Sequence, residues 1–193
     1  MVIRKLAPAK INLTLEVLAK REDGWHDISS IMQTIDLCDT LIIHESSRIE
    51  IITDYGLLPP WDSMVTLTGN SHKEDNLVYK AAKILQDETG YRGGADIKLI
   101  KRIPSASGLG GGSSDAAAAL RGLNELWKLG LGTSELVNIG TKLGSDVAFF
   151  IYGGTCLVEG RGERVTPLKA LPRRWMVLLL PSLAILELSL IHI

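Results

Sequence analysis

An α+β domain built in two layers is the fold class that this 193-residue sequence predicts. Three observations carry it. Short β-branched runs dominate up to about residue 54, helical periodicity begins near Glu74, and a second strand-like pair follows the helices near residue 155. One substantial domain, or one domain and part of another, fits the length.

The elements follow in order. KINLTLEVL places Ile11, Leu13, Leu15 and Val17 on one face, as a half-buried strand does. Asp23-Gly24 in DGWHDISS marks a turn. IMQTIDL, DTLIIHE and RIEIITD read as three paired strands, and YGLLPPWDS as a loop. DNLVYKAAKILQDETG sets Leu77, Ala81, Ile84 and Leu85 at helical spacing, with Asp75 or Asn76 as N-cap and Gly90 as the stop. ADIKLIKRI alternates as a strand and runs into a glycine-rich loop. The helix after that loop has Ala116, Ala119, Leu120, Leu123 and Trp127 on its apolar face. TSELVNIGTKLG is a shorter helix capped by Thr133 or Ser134, with Glu135 in its first turn. SDVAFF reads as a helical turn or loop, and GTCLVEG with ERVTPL as a hairpin. WMVLLL, ending at Pro181, reads as a buried strand rather than a membrane span, because Pro181 and Glu187 interrupt the apolar run.

Composition excludes several function classes. A net charge of −1 and a pI near 6.4 supply no field toward nucleic acid or acidic membranes. The basic pairs Lys20-Arg21, Lys101-Arg102 and Arg173-Arg174 read as solvated surface. Cys38 and Cys156 form no C-x-x-C, and the four histidines show no metal-pair spacing, so neither a disulfide framework nor a zinc site is expected. The N-terminus lacks a signal-peptide run, which makes a cytoplasmic protein the simplest reading.

The stretch PSASGLGGGSSD, 104–115, carries the chemistry. A strand leads into it and a helix leaves it, and the uncapped N–H groups and positive dipole end at a helix start bind anions. Glycines at 108, 110, 111 and 112 let the backbone approach a phosphate, while Ser113 and Ser114 can cap the helix, donate to phosphate oxygens or hold a metal ion's water shell. A Walker lysine is missing, since Gly112 is followed by Ser113, and no G-x-G-x-x-G register fits. Lys10 and Asp146, taken alone, read as a surface lysine and a helix-capping aspartate. Asn12 shares Lys10's strand face by period-two spacing.

The motif P-x-x-x-G-L-G-G-G-S-S-D-A-A-A resembles the phosphate-binding motif of the GHMP kinases. The likeness extends to PAKINL at 8–13, DGWH at 23–26, EDNL at 74–77 and LGSDV at 143–147, and so covers the chain to about Pro181. Within the superfamily it is most similar to the branch that phosphorylates the 2-hydroxyl of CDP-methylerythritol in the non-mevalonate route to isoprenoids. The resemblance implies an N-terminal GHMP domain, a mixed sheet packed by helices, over residues 1–170. It implies ATP and Mg²⁺ as cofactors, with no metal ligand assigned, and no nucleic-acid or membrane partner; a homodimer is allowed. It also implies that Asp146 accepts the substrate hydroxyl's proton while Lys10 orients Asp146 and stabilises the transferring phosphoryl. Asn12, Trp25 and His26 would meet the substrate, the last two at its cytosine. Asn76 and Leu77 would hold adenine, and Pro104, Gly108, Leu109, Gly110, Gly111, Gly112, Ser113 and Ser114 the rest of the nucleotide. Two departures stand out: Trp25 where the family commonly has tyrosine, and Ala148 where proline is common.

The family also has a C-terminal domain that closes the cleft. Residues 171–182 match only its start, and 183–193, ending in LSLIHI, resemble a translated sequencing adapter. The expectation is therefore a truncated chain with a non-native tail and little activity of its own. Two alternatives stay open: another GHMP kinase, such as homoserine or mevalonate kinase, and a nucleotide-binding module that performs no transfer.

Overall fold

The computed structural model describes residues 1–58 and 73–179. Its frame is a ribbon of two long antiparallel strands, β1 (Val2–Lys20) and β2 (His26–Ser46), joined by the Asp23-Gly24 turn. β2 is shared. Its free edge pairs with β4 (Gly94–Ile100) through Thr40–Ser46, and with β5 (Thr155–Gly160) through Ile28–Gln33. β3 (Ile49–Asp54) joins β4 in parallel and β6 (Arg164–Pro167) joins β5 antiparallel, giving a mixed six-stranded sheet. Helices α1 (Leu77–Thr89), α2 (Gly111–Leu126), α3 (Thr133–Gly140) and α4 (Val147–Tyr152) cover one face. The two-layer α+β expectation holds.

Local rules explain most helix ends. Asn76 caps α1 with its side chain, accepting from the Val78 N–H at 2.9 Å, and Gly90 closes it in the left-handed region at φ 70°. α3 departs from expectation: Gly132, not Thr133 or Ser134, is its N-cap, and Glu135 reaches back to accept the Gly132 N–H at 2.8 Å. α2 is buried on most of its circumference, with Ala116–Leu120 and Leu123 all fully enclosed between the sheet and α1. The run of alanines permits this, because small side chains let the helix sit close to its neighbours. Trp127 stacks on Tyr91 at 4.6 Å and donates its indole N–H to the Gly94 carbonyl, tying the end of α2 to the start of β4.

Two strand assignments need correction. IMQTIDL and DTLIIHE are one continuous β2: the strand runs through Cys38, which pairs with Pro8 of β1, and bulges at Ile35–Leu37. WMVLLL is not a buried strand over its described residues: 175–179 pair with no strand, and Trp175, Val177 and Leu179 are almost fully exposed. An apolar run becomes a strand only where a sheet edge and a covering layer receive it, and β6 ends at Pro167 without either reaching this segment. Leu13, Leu15 and Val17 are also left about half exposed. Leu180, Pro181 and the tail 183–193 lie outside the described residues.

Gly94 shows how closely the sheet is built. A Cβ there would stand 2.2 Å from the Arg48 backbone, which leads into β3. Backbone cannot step aside as a side-chain tip can, so Gly94→Ala is expected to lower stability by roughly 2–3 kcal/mol and to disturb the β3–β4 pairing. Urea unfolding of the two chains measures the loss; a difference below the error of the extrapolation would contradict the contact.

Candidate active site

Phase along β1 decides where Lys10 points. Ile3 and Ala7 face the large helix-side core, yet Ala9 packs in a small cluster with Ile103 and Leu109 on the other face. Between the pairs Pro8–Cys38 and Lys10–Thr34 β2 advances four residues while β1 advances two. This bulge shifts the alternation and turns Lys10 to the helix side. Lys10 is therefore a buried mid-strand residue, not a surface lysine at a strand start. Its Nζ donates to Asn12 Oδ1 at 2.9 Å, which confirms the shared face, and stands 3.9 Å from Asp146 Oδ2.

The glycine loop is laced to the same strand. The Lys10 N–H donates to the Leu109 carbonyl at 2.9 Å, and Ser114 Oγ donates to the Pro8 carbonyl at 2.6 Å. Gly110, the N-cap of α2, lies at φ 72° with no side-chain cap, and a Cβ on it would come within 2.7 Å of the Phe150 ring and 3.2 Å of Lys10 Cγ. Only glycine allows loop, lysine and α4 to meet there. The N–H groups of the first turn of α2 thus have no side-chain acceptor beside the Lys10 ammonium. Asp146 precedes α4 in helical conformation and makes no capping bond with its side chain, so its carboxylate is not committed to its own helix. A side chain is 23% exposed at Asp146 and 9% at Lys10, leaving the pair reachable from solvent on the carboxylate side.

Most of the expected nucleotide residues gather at this end of the fold. Leu77 lies against Gly112, 3.4 Å from where its Cβ would be, so the starts of α1 and α2 converge. Ser113 borders Gly144, two residues before Asp146. Two roles narrow. Ser114 and Leu109 are buried, the first bonded to Pro8 and the second packed on Ala9, so neither side chain faces an open cleft. Asn76 serves its own helix as N-cap. Pro104 and Gly108 lie in the loop, where Ser107 Oγ donates to the Pro104 carbonyl at 2.6 Å. Trp25 and His26 are elsewhere. They sit at the far tip of the β1–β2 ribbon, Trp25 being more than half exposed, where Arg21 bonds both Asp23 and Asp27. Among the described residues no cluster of three acidic, histidine or cysteine side chains is placed to hold a metal, and no helix is long and apolar enough to cross a membrane.

One group was missed from the sequence. Lys101, expected on solvated surface, is buried, with Nζ 2.5 Å from Asp39 Oδ2 and 2.6 Å from Asp115 Oδ2; Arg102 beside it is exposed. Burial pushes the Asp115 carboxyl up, against the pull of Lys101, to about 8. Burial alone would lower the Lys101 ammonium, but Asp115 and then Asp39 outweigh it and raise it. No signal in the sequence joins positions 39, 101 and 115 before the chain folds.

With the geometry in place, the comparisons define a class. Residues 76–154 match the family model described as GHMP kinases N terminal domain. More particularly, it is 48% identical over 182 residues to a protein of Geobacillus thermodenitrificans named 4-diphosphocytidyl-2-C-methyl-D-erythritol kinase, and 46% identical over 181 residues to one of that name from Bacillus cereus. Those alignments cover 93% of this chain but 59% and 58% of the relatives. The chain thus spans somewhat over half the length of the curated relatives it matches. A crystal structure of 4-(cytidine 5'-diphospho)-2C-methyl-D-erythritol kinase superposes with a TM-score of 0.70 at 36% identity, over 88% of this chain and 56% of that one. Mevalonate kinase of Methanococcus jannaschii, at TM-score 0.58 and 18% identity over 88% and 56% of the two chains, shares the fold.

Asp115 gives a pH test. The folded chain holds a proton there that the unfolded chain releases near 3.8, so raising the pH from about 4 to about 8 favours unfolding. Asp115→Asn, which mimics the neutral carboxyl, is expected to flatten this decline. Melting temperatures of both chains between pH 5 and 8.5 check it; parallel curves would refute the assignment.

Proposed function

We propose that this chain supplies the ATP- and substrate-binding half, residues 1–170, of a cytoplasmic kinase that phosphorylates the 2-hydroxyl of CDP-methylerythritol. The carrying observation is the Lys10–Asp146 pair, 3.9 Å apart, beside a helix start whose N–H groups lack side-chain caps. Phosphoryl transfer to an alcohol requires a positioned hydroxyl, a proton acceptor and neutralisation of charge on the moving group. In this reading the triphosphate lies on the first turn of α2, with Leu77 and Pro104 bordering the adenosine. Asp146 holds the substrate hydroxyl and takes its proton as the oxygen bonds to the γ-phosphorus and the bond to ADP breaks. Lys10, steadied by Asn12, orients Asp146 and stabilises the transferred phosphoryl. Mg²⁺ would come with the nucleotide and neutralise its phosphates; Ser113 is the protein oxygen at that spot, which suits an ion bound chiefly through phosphates and water.

The likeness to kinases named for the cytidine-linked substrate, at 48% and 36% identity, supports this branch over mevalonate kinase, whose 18% likeness concerns the fold alone. Trp25 and His26 then offer a face and a hydrogen-bonding edge to cytosine at the ribbon tip. A tryptophan stacks on a base as tyrosine does, and such stacking is worth about 1–3 kcal/mol.

The test uses this chain extended by the C-terminal part of the Geobacillus thermodenitrificans relative. Asp146→Asn should lower kcat by about 10²–10⁴ with the circular dichroism spectrum unchanged. A loss under tenfold would remove Asp146 from the transfer step. Trp25→Ala should raise KM for CDP-methylerythritol about tenfold while leaving KM for ATP in place; equal changes in both would argue against a cytosine contact.

A further inference from the structure

The buried group at Asp39, Lys101 and Asp115 stands outside the transfer chemistry, yet it occupies the junction on which the glycine loop turns. Asp39 is fully buried in β2. One of its oxygens accepts the backbone N–H groups of Arg102 and Ile103, the residues that lead from β4 into the loop, the latter at 2.8 Å. Its other oxygen receives Lys101, which also bonds Asp115 in the second turn of α2. Three segments are thereby pinned together: mid-β2, the entrance of the loop and the helix that leaves it. Lys101 Nζ lies beneath the loop's exit, 3.3 Å from where a Cβ on Gly111 would stand.

Stability alone does not account for such a cluster. Burying ions costs solvation, and a buried ion pair replaced by apolar side chains of similar volume is often neutral or stabilising. Here the cost is compounded. Two carboxyls share one ammonium, and Asp115 Oδ1 is enclosed with no hydrogen-bond partner. What the ionic arrangement provides and an apolar one lacks is direction: each bond fixes an angle between the strand, the loop and the helix.

We propose that Asp39, Lys101 and Asp115 are positioning residues for the phosphate-binding loop, and that nucleotide affinity is the property they set. The inference rests on the reading of Gly108–Ser113 as the nucleotide's cradle. Asp39 and Lys101 hold the loop's two ends at the separation at which its N–H groups converge. Asp115 contributes an acceptor to Lys101, which the oxygen of an amide at 115 also supplies. The clamp does not touch the ribbon tip, and binding of the cytidine-linked substrate is independent of it.

The experiment is calorimetric titration of the 193-residue chain with Mg·ATP and, separately, with CDP-methylerythritol. The variants are Asp115→Asn and the double variant Lys101→Met with Asp115→Leu, which leaves Asp39 its two backbone donors. The double variant is expected to bind ATP at least tenfold more weakly, with faster amide exchange at 108–112, unchanged affinity for CDP-methylerythritol and a lowered melting temperature, because the buried Asp39 loses its counter-charge. Asp115→Asn is expected within twofold of the parent for both ligands. Should the double variant not fold, Asp39→Asn carries the same test, because its amide oxygen still accepts from the loop while the ion pair to Lys101 is lost. A parent chain that binds ATP alongside a double variant, or Asp39→Asn, that binds it equally well overturns the positioning role and leaves the kinase reading standing. A parent chain that binds no ATP overturns both.

Discussion

The site depends on a phase slip in one strand. If β1 alternated without interruption, Ala9 would follow Ile3 and Ala7 toward the helices and Lys10 would point away from them. The bulge at Ile35–Leu37 of β2, opposite Ala9, moves the pattern by one position, so a small side chain goes to the outer cluster and a cation comes inward. Burying that cation is tolerable only with partners, and Asn12 and Asp146 supply them. The glycine at 110 follows from the same slip, because Lys10, Phe150 and the loop backbone then compete for one small volume. Strand register, loop composition and the carboxylate's position are in this sense one constraint.

Much of the fold was legible because it is locally encoded. Asn76 and Gly90 delimit α1 by chemistry within a few residues of each end, and the apolar face of α2 is written at 3.6-residue spacing. The GTCLVEG and ERVTPL hairpin needed only alternation and a turn. Errors arose where the deciding partner is distant. Asp39 interrupts the apolar alternation of β2, and contacts more than 60 residues on, with Lys101 and with the Arg102 and Ile103 N–H groups, explain how an aspartate is buried inside a strand. The Lys101 contact explains why half of a basic pair is not on the surface. For WMVLLL the hydrophobic pattern spoke of burial but could not name a covering layer.

The candidate site divides in the same way. Its glycines, serines and neighbouring helix start were visible as a pattern, whereas the pairing of Lys10 with Asp146 was reached through family resemblance alone. A lysine in an apolar strand and an aspartate before a short helix have ordinary explanations until the bulge and the missing cap are seen together. Ser114 and Leu109 show the converse. Both belong to the motif, yet their side chains serve its scaffold and not its open face.

The way β2 is completed has a consequence in time. Its C-terminal half finds β4 within about 60 residues, but residues 28–33 wait for β5, and Gln33 meets Thr155 across 122 residues. At about 5–20 residues per second, a ribosome leaves that edge of the ribbon unpaired for roughly 6–24 s. An open strand edge is a template for another chain, and this one carries Ile28 and Ile31. During each round of synthesis the protein therefore passes through a stage whose greatest hazard is neighbouring copies of itself on the same messenger.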